Sequence, residues 1–195
     1  MENIIEEPIP KYNYITAEEY LMAERTAAEK HEYYNGEVFA MSGASANYNE
    51  IFSNLFGEIA HKLKGKGCKP YGSDLRIHIP KNTLYTYPDI SIICGEMNLT
   101  DDKFDTATNP SVIIEILSRS TRNYDRLEKF SLYRDIDTLQ EYILADSQKI
   151  HIERYFRSNN NTWQLMDYYF KEDSLVISTV NISISLKDIY LDITF

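Results

Sequence analysis

The chain has 195 residues, of which 43% are hydrophobic and 26% are charged, proportions that are typical of a folded globular protein and exclude a disordered chain. Its formal net charge of -10 excludes a surface that binds nucleic acid everywhere, although it leaves room for a local basic patch. No apolar run suggests a membrane span and the N-terminus carries no signal-peptide pattern, so we expect one domain over residues 1–195, located in the cytoplasm. Cys68 and Cys94 lack metal-site spacing, and we expect structural or incidental thiols.

The N-terminal part of the sequence predicts a lead-in segment, a short helix and a hairpin. Residues 1–14 are expected to be loosely held, and a capping box that begins at Thr16 predicts a helix from Ala17 to about residue 28. Asn35 and Gly36 lie between two strand-like runs, which is typical of a two-residue β-hairpin turn.

The rest of the chain alternates helical and strand-like patterns. Residues 46–64 carry apolar side chains four residues apart, as an amphipathic helix does, and residues 75–79 alternate with a period of two, as a half-buried strand does. Another helix is expected from Ser118 to about Ile136. Four more strands are predicted at residues 141–145, 150–156, 163–170 and 174–177. This order of elements predicts an α/β (α+β) fold with a mixed, mostly antiparallel central sheet flanked by helices, and a strand-rich C-terminal part.

One carboxylate is notable because it interrupts an apolar strand. Glu115 lies in the middle of residues 110–118, a run that is typical of a strand covered on both faces. A buried carboxylate needs a cationic or hydrogen-bonding partner, a metal ion or a raised pKa. A second apolar strand over residues 86–94 contains Asp89, and a loop over residues 95–109 would let the two strands pair in antiparallel fashion. We therefore expect the two acids to converge and to suit a hard cation such as Mg²⁺.

A lysine on the helix that follows is the candidate partner of this acidic pair. In a regular helix Asp125, Lys129 and Tyr133 fall on one face, which embeds the lysine in a partly apolar sector. Lys129 would either complete the site, by polarising a water molecule or neutralising a phosphate charge, or form an ordinary ion pair with Asp125. In a third interpretation Glu115 is a core acid paired with Lys129, and Lys129→Met would then be tolerated.

Motifs throughout most of the chain point to a known family. They occupy residues 32–37, 41–43, 73–76, 88–91, 115–118, 120–122, 125, 129, 133 and 141–142. Together they resemble the Uma-two family of restriction-endonuclease-like proteins in the PD-(D/E)XK nuclease superfamily. Two positions depart from the pattern: Leu117 stands where the superfamily usually has lysine, and Tyr48 stands where the family commonly has histidine. The resemblance transfers the role of the missing lysine to Lys129.

This resemblance implies a restriction-endonuclease-like fold and a Mg²⁺- or Mn²⁺-dependent endonuclease that hydrolyses DNA, with a homodimer as a further expectation. It assigns catalysis to Asp89, Glu115 and Lys129, and metal binding to Asp89, Glu115 and Glu37. Supporting positions would be Asp74, Arg76, Asp125 and Tyr133. An ion pair between the first two of these is the simpler interpretation. The alternative function is a binding or assembly module with a nuclease fold and weak or no activity, which the net charge and Tyr48 favour.

Overall fold

The computed structural model describes residues 14–41 and 43–195, which form two mixed sheets, a separate strand pair and the helices packed on them. The predicted lead-in, except for Tyr14, lies outside the described residues, and so does Ser42 of one family motif. Across the described ranges, no helix combines the length and the apolar character that crossing a bilayer requires.

The helices and strands follow one another with these bounds: α1 (Ala17–Glu24), β1 (His31–Tyr34), β2 (Glu37–Ala40), α2 (Ala46–Leu63), β3 (Cys68–Gly72), β4 (Arg76–Ile79), β5 (Leu84–Thr86), β6 (Ile90–Cys94), β7 (Thr106–Ala107), β8 (Val112–Leu117), α3 (Arg122–Tyr124), a π-helical turn (Asp125–Lys129), α4 (Phe130–Tyr133), β9 (Glu141–Asp146), β10 (Ile152–Arg157), β11 (Trp163–Tyr168), β12 (Ser174–Ile177), a 3₁₀ turn (Ser178–Val180), β13 (Ile182–Ser185) and α5 (Leu186–Ile189).

The larger sheet has six strands in the order β11-β10-β9-β8-β6-β3, and the smaller sheet has five in the order β2-β1-β5-β4-β7. Neighbouring strands are antiparallel except for β8 with β9 and β4 with β7. The separate pair is β12 with β13. The predicted α+β fold with a mixed, mostly antiparallel sheet is thus confirmed, and it leaves β8 paired on both sides, between β6 and β9.

Local sequence signals explain the hairpin and the first two helices. The Thr16 side chain accepts a hydrogen bond from the backbone N–H of Glu19, whose carboxylate accepts one from the N–H of Thr16, so the predicted capping box is confirmed. The helix ends at Glu24, earlier than expected. Asn35 (φ 54°) and Gly36 (φ 88°) adopt the left-handed backbone that a two-residue hairpin turn requires, and the predicted hairpin is confirmed.

Two hydrophobic clusters cover the two faces of the larger sheet. The apolar stripe of α2 is buried as predicted, at Ile51, Leu55, Ile59 and Leu63. On β8, alternate residues pack into different clusters: Ile114 joins the cluster that contains α2, whereas Leu117 joins the cluster that contains Tyr133 of α4. Glu115 therefore points to the same face as Leu117, towards the helix that follows β8.

Three further predicted segments differ from the observed ones, and β3, β13 and α5 were not predicted. The strand expected over residues 86–94 is divided into the end of β5 and the whole of β6, with Pro88 between them. The loop over residues 95–109 contains β7, because its backbone pairs with β4. The helix expected from Ser118 to Ile136 begins only at Arg122, since the Ser118 hydroxyl binds the N–H of Thr121 in the preceding turn.

The expectation of unpaired thiols is wrong, because Cys68 and Cys94 form a disulfide bond. They are register partners on the antiparallel strands β3 and β6, with their Cα atoms 4.0 Å apart. Their separation of 26 residues hides this pairing in the sequence, since only the strand register brings them face to face.

We predict that reduction of this disulfide lowers the free energy of unfolding by about 2–4 kcal/mol, because the cross-link restricts the unfolded chain. Urea denaturation with and without dithiothreitol measures the effect. The Cys68→Ser, Cys94→Ser double variant is the control, and its stability should equal that of the reduced wild type and be insensitive to the reductant. An unchanged unfolding midpoint on reduction would contradict the prediction.

Candidate active site

Asp89 and Glu115 meet where β6 begins, as the register of β6 and β8 requires. Ile90 pairs with Ile114, so the residue before Ile90 lies opposite the residue after Ile114. The N–H of Asp89 donates to Glu115 Oε2 at 3.2 Å, and the N–H of Ile116 donates to Asp89 Oδ2 at 2.6 Å. Both acids are buried, with exposed fractions of 6% and 4%. Each carboxylate is thus held by the backbone of the other strand.

Lys129 reaches this acidic pair from the helical segment after β8. Its Nζ lies 3.0 Å from Glu115 Oε1, 2.9 Å from Glu32 Oε1 and 3.9 Å from Asp125 Oδ1. Asp125 and Lys129 begin and end the π-helical turn, and both are buried. The turn is wider than an α-helical one, a form that occurs often at functional sites. The expected Asp125–Lys129 contact exists, but Lys129 is closer to Glu32 of β1 and Glu115 of β8.

Glu32 is the site residue that the sequence reasoning missed. It lies on β1 and is buried, and its carboxylate accepts hydrogen bonds from Thr86 and, at 3.5 Å, from the Tyr124 hydroxyl. Burial alone would raise the pKa of Glu32, but Lys129 and these hydrogen bonds outweigh it, so the pKa is lowered and the group stays ionised. A signal was present, because Glu32 begins one of the family motifs and shares a face of its strand with Tyr34.

The electrostatics of the cluster are unbalanced towards negative charge. Four carboxylates, of Glu32, Asp89, Glu115 and Asp125, face one ammonium group. Burial, followed by the charge of Glu115, raises the pKa of Asp89 to about 7 and that of Asp125 to about 7. Burial alone would lower the pKa of Lys129, but Glu115 and its other neighbours raise it well above the usual value. The lysine therefore stays charged, whereas Asp89 and Asp125, each with a pKa of about 7, are partly protonated near neutral pH.

Two tyrosines complete the immediate surroundings of the acids. The Tyr133 hydroxyl donates to Glu115 Oε1 at 2.8 Å, and the Tyr48 hydroxyl donates to Asp89 Oδ1. Burial and the Asp89 charge raise the pKa of Tyr48, so its hydroxyl keeps its proton. Tyr48 therefore provides a hydrogen-bond donor to Asp89, and it occupies one oxygen of that carboxylate.

Three other residues singled out from the sequence lie away from the cluster. Glu37 is exposed at the start of β2, and it does not line the cavity that contains the acidic cluster. The expected Asp74–Arg76 ion pair is wrong: Asp74 Oδ1 pairs with Lys30 at 2.6 Å, and Arg76 pairs with Asp105 at 3.0 Å. Strand alternation alone did not show that other chain segments supply the partners.

The side chains of the acids line a cavity of about 760 Å³, which lies between the hairpin, α2 and the helical segment after β8. Its lining includes Glu32, Asp89, Glu115, Asp125 and Lys129. Among the described lining residues there is no histidine or cysteine, so the ligands on offer are oxygen atoms. Oxygen ligands with surplus negative charge suit a hard divalent cation such as Mg²⁺ or Mn²⁺.

A second cluster of possible metal ligands lies at the start of β10 and on β11, and it contains His151, Glu153 and Asp167. His151 Nε2 is 2.8 Å from Asp167 Oδ1, and its Nδ1 is 3.7 Å from Glu153 Oε1. Arg126 pairs with Glu153 at 2.5 Å and neutralises it. Contacts with Arg126 and between His151 and Asp167 therefore account for these side chains without a metal ion.

The fold, a mixed α+β arrangement around a six-stranded sheet, matches that of a solved protein that is described as a nuclease. A crystal structure of a protein described as a "putative nuclease belonging to DUF820", from Anabaena variabilis, superposes with a TM-score of 0.70 at 17% identity, covering 90% of this chain and 97% of that one. At this identity the likeness concerns the fold alone.

The chain belongs to the Uma2 family, described as "Putative restriction endonuclease", whose sequence profile matches residues 17–187. The chain is also similar to two uncharacterized proteins of Synechocystis. It is 35% identical to slr1290 over 188 residues, which is 96% of either chain, and 37% identical to sll1609 over 153 residues, which is 78% of this chain and 86% of the relative. The predicted family is thus confirmed.

Proposed function

We propose that this protein is a divalent-metal-dependent nuclease that hydrolyses phosphodiester bonds of DNA, with Asp89 and Glu115 as metal ligands and Lys129 as the third catalytic group. The observation that carries the proposal is the convergence of the two carboxylates with the Lys129 ammonium, 3.0 Å from Glu115, in an open cavity. Membership of a family described as "Putative restriction endonuclease" supports the reaction class. Magnesium or manganese is the proposed ion.

The side chains have separable roles in this proposal. A bound divalent cation would lower the pKa of a coordinated water and stabilise charge on the scissile phosphate. Asp89 and Glu115 supply the negative charge that holds the cation, and Tyr133 together with Lys129 fixes the position of Glu115 Oε1. Lys129 also presents a permanent positive charge to the phosphate, since its pKa is raised well above the usual value. Glu32 and Asp125 hold the lysine in place.

Metal-dependent cleavage tests this proposal. The purified protein should cleave DNA in Mg²⁺ or Mn²⁺, and activity should stop with EDTA and return with excess metal. Glu115→Gln should reduce the rate at least about 1,000-fold while leaving the fold intact by circular dichroism, because one carboxylate ligand is lost. Glu37→Gln is the matched control and should keep activity, since that carboxylate lies outside the cavity lining. Absence of cleavage under every metal would overturn the proposal.

The hydrogen bond of Tyr48 to Asp89 favours one competing function, a binding or assembly module without catalysis. Because the hydroxyl occupies an oxygen that the metal would need, a protein adapted to this state would bind Mg²⁺ and Mn²⁺ weakly or not at all. Calorimetric titration separates the two functions. Stoichiometric Mn²⁺ binding that Glu115→Gln weakens supports the nuclease, whereas no measurable heat supports the module.

A further inference from the structure

The wall of the cavity above the acids is aromatic and partly open. Glu32 and Phe39 are register partners on β1 and β2, and directly opposite residues of an antiparallel pair project to the same face. Tyr34, two residues beyond Glu32, shares that face. All three line the cavity, and Phe39 remains 47% exposed. The hairpin therefore holds an apolar ring over the acidic cluster, accessible to a ligand.

Another aromatic residue of the cavity lining belongs to the helical segment after β8. Tyr124, at the end of α3, is half-buried in the cavity lining, and the centre of its ring is 6.0 Å from Lys129 Nζ. This ring and the hairpin residues line one cavity of about 760 Å³, a size that suits a small organic group such as a nucleotide. A planar group entering here would meet aromatic rings beside the acids.

The charges of the cavity do not suit the backbone of a duplex. Its described lining contains five acids and Lys129 as its one basic residue, and Lys129 is already held by Glu32 and Glu115. Proteins that grip duplex DNA do so mainly with lysine and arginine on the phosphates. The hydroxyl groups of Ser118, Ser120 and Thr121 also line the cavity, and they are neutral, so they add no positive charge for a duplex backbone.

We propose that the cavity takes an unpaired nucleotide of single-stranded DNA, whose base packs against Phe39 while its phosphate faces Lys129 and the divalent cation that the acids would hold. The inference rests on the proposed nuclease function and narrows its substrate. Stacking of a base on an aromatic side chain contributes to binding whatever the base, and only an unpaired base has a face free to stack. In a duplex the same base is enclosed between its neighbours.

Binding measurements test this without depending on catalysis. Fluorescence anisotropy of a labelled 12-nucleotide single strand and of its duplex is measured with the full chain in Ca²⁺ at fixed salt. We expect the single strand to bind at least about 10-fold more tightly than the duplex. Phe39→Ala should weaken single-strand binding about 10-fold and leave duplex binding unchanged. Val38→Ala is the matched control, since Val38 is the adjacent, partly exposed residue outside the cavity lining, and should change neither value more than about twofold.

Equal or tighter binding of the duplex, or equal effects of Phe39→Ala and Val38→Ala, would overturn the inference. Cleavage of the same two substrates in Mg²⁺ separates it from the proposed function. Metal-dependent cleavage that prefers the duplex keeps the nuclease and overturns the single-strand preference. Single-strand binding through Phe39 without any cleavage keeps the binding preference and overturns the nuclease.

Discussion

Lys129→Met is expected to lower the free energy of unfolding by about 3–5 kcal/mol at pH 8 in the absence of metal, since removing one partner leaves buried charge without compensation. The ammonium group lies within 4 Å of Glu32, Glu115 and Asp125, and Lys129 is 4% exposed, so solvent screens little of this interaction. Urea denaturation measures the loss. The loss in the free energy of unfolding should become smaller as the pH is lowered towards 5, because protonation of the carboxylates then removes the uncompensated negative charge.

A matched control and a rescue variant make the Lys129 prediction specific. Lys81→Met removes a lysine from the exposed pair with Asp137, and stability should not change measurably. Adding Glu32→Gln to Lys129→Met should recover part of the lost stability, because one uncompensated carboxylate is removed. If Lys129→Met is as stable as the wild type, the charge balance proposed for the site is incorrect and the interpretation of Glu115 as a simple core acid gains support.

Asp89→Asn is expected to abolish metal-dependent cleavage and, in EDTA at pH 8, to stabilise the fold by at least about 1 kcal/mol. The substitution keeps the shape of the side chain and removes a carboxylate that burial and Glu115 make costly to ionise. For a chain of this length such a gain raises Tm by about 2–4 °C. Loss of activity with a gain in stability is the combination expected of a residue that is maintained for chemistry rather than for folding.

The pH dependence fixes the sign of the Asp89 effect. The pKa of this carboxyl is raised from 3.8 to about 7 in the folded protein, so its contribution to stability is full below pH 3.8 and is lost as the pH rises through 7. The advantage of Asp89→Asn should therefore be largest at pH 8 and smaller at pH 5. Asp137→Asn is the control: Lys81 lowers the pKa of that exposed acid, and Tm should show no such gain at pH 8. A Tm advantage of Asp89→Asn that does not depend on pH would contradict the electrostatic cause.

Much of the fold could be predicted because its signals lie within a few residues of one another. The Asn35-Gly36 turn, the capping box at Thr16 and the buried stripe of α2 each depend on near neighbours in the chain. The convergence of Asp89 and Glu115 was also predictable, since strands that follow one another closely in the chain often pair as antiparallel neighbours, as β6 and β8 do here. Their roles in metal binding and catalysis, with that of Lys129, stay predictions that the proposed experiments test.

The sequence by itself thus determined the family, the first hairpin, the helix α2 and the acidic strand β8, but not β3, β7, β13 or α5. Only the tertiary structure decided that Glu32 rather than Glu37 lies beside Lys129, that Tyr48 binds Asp89 and that Cys68 is joined to Cys94. The physical reason is the distance along the chain over which each kind of interaction acts. Turns, caps and apolar stripes arise from interactions within one or two turns of chain, whereas these contacts depend on strand register and on how the two sheets and the helices pack, which no local pattern records.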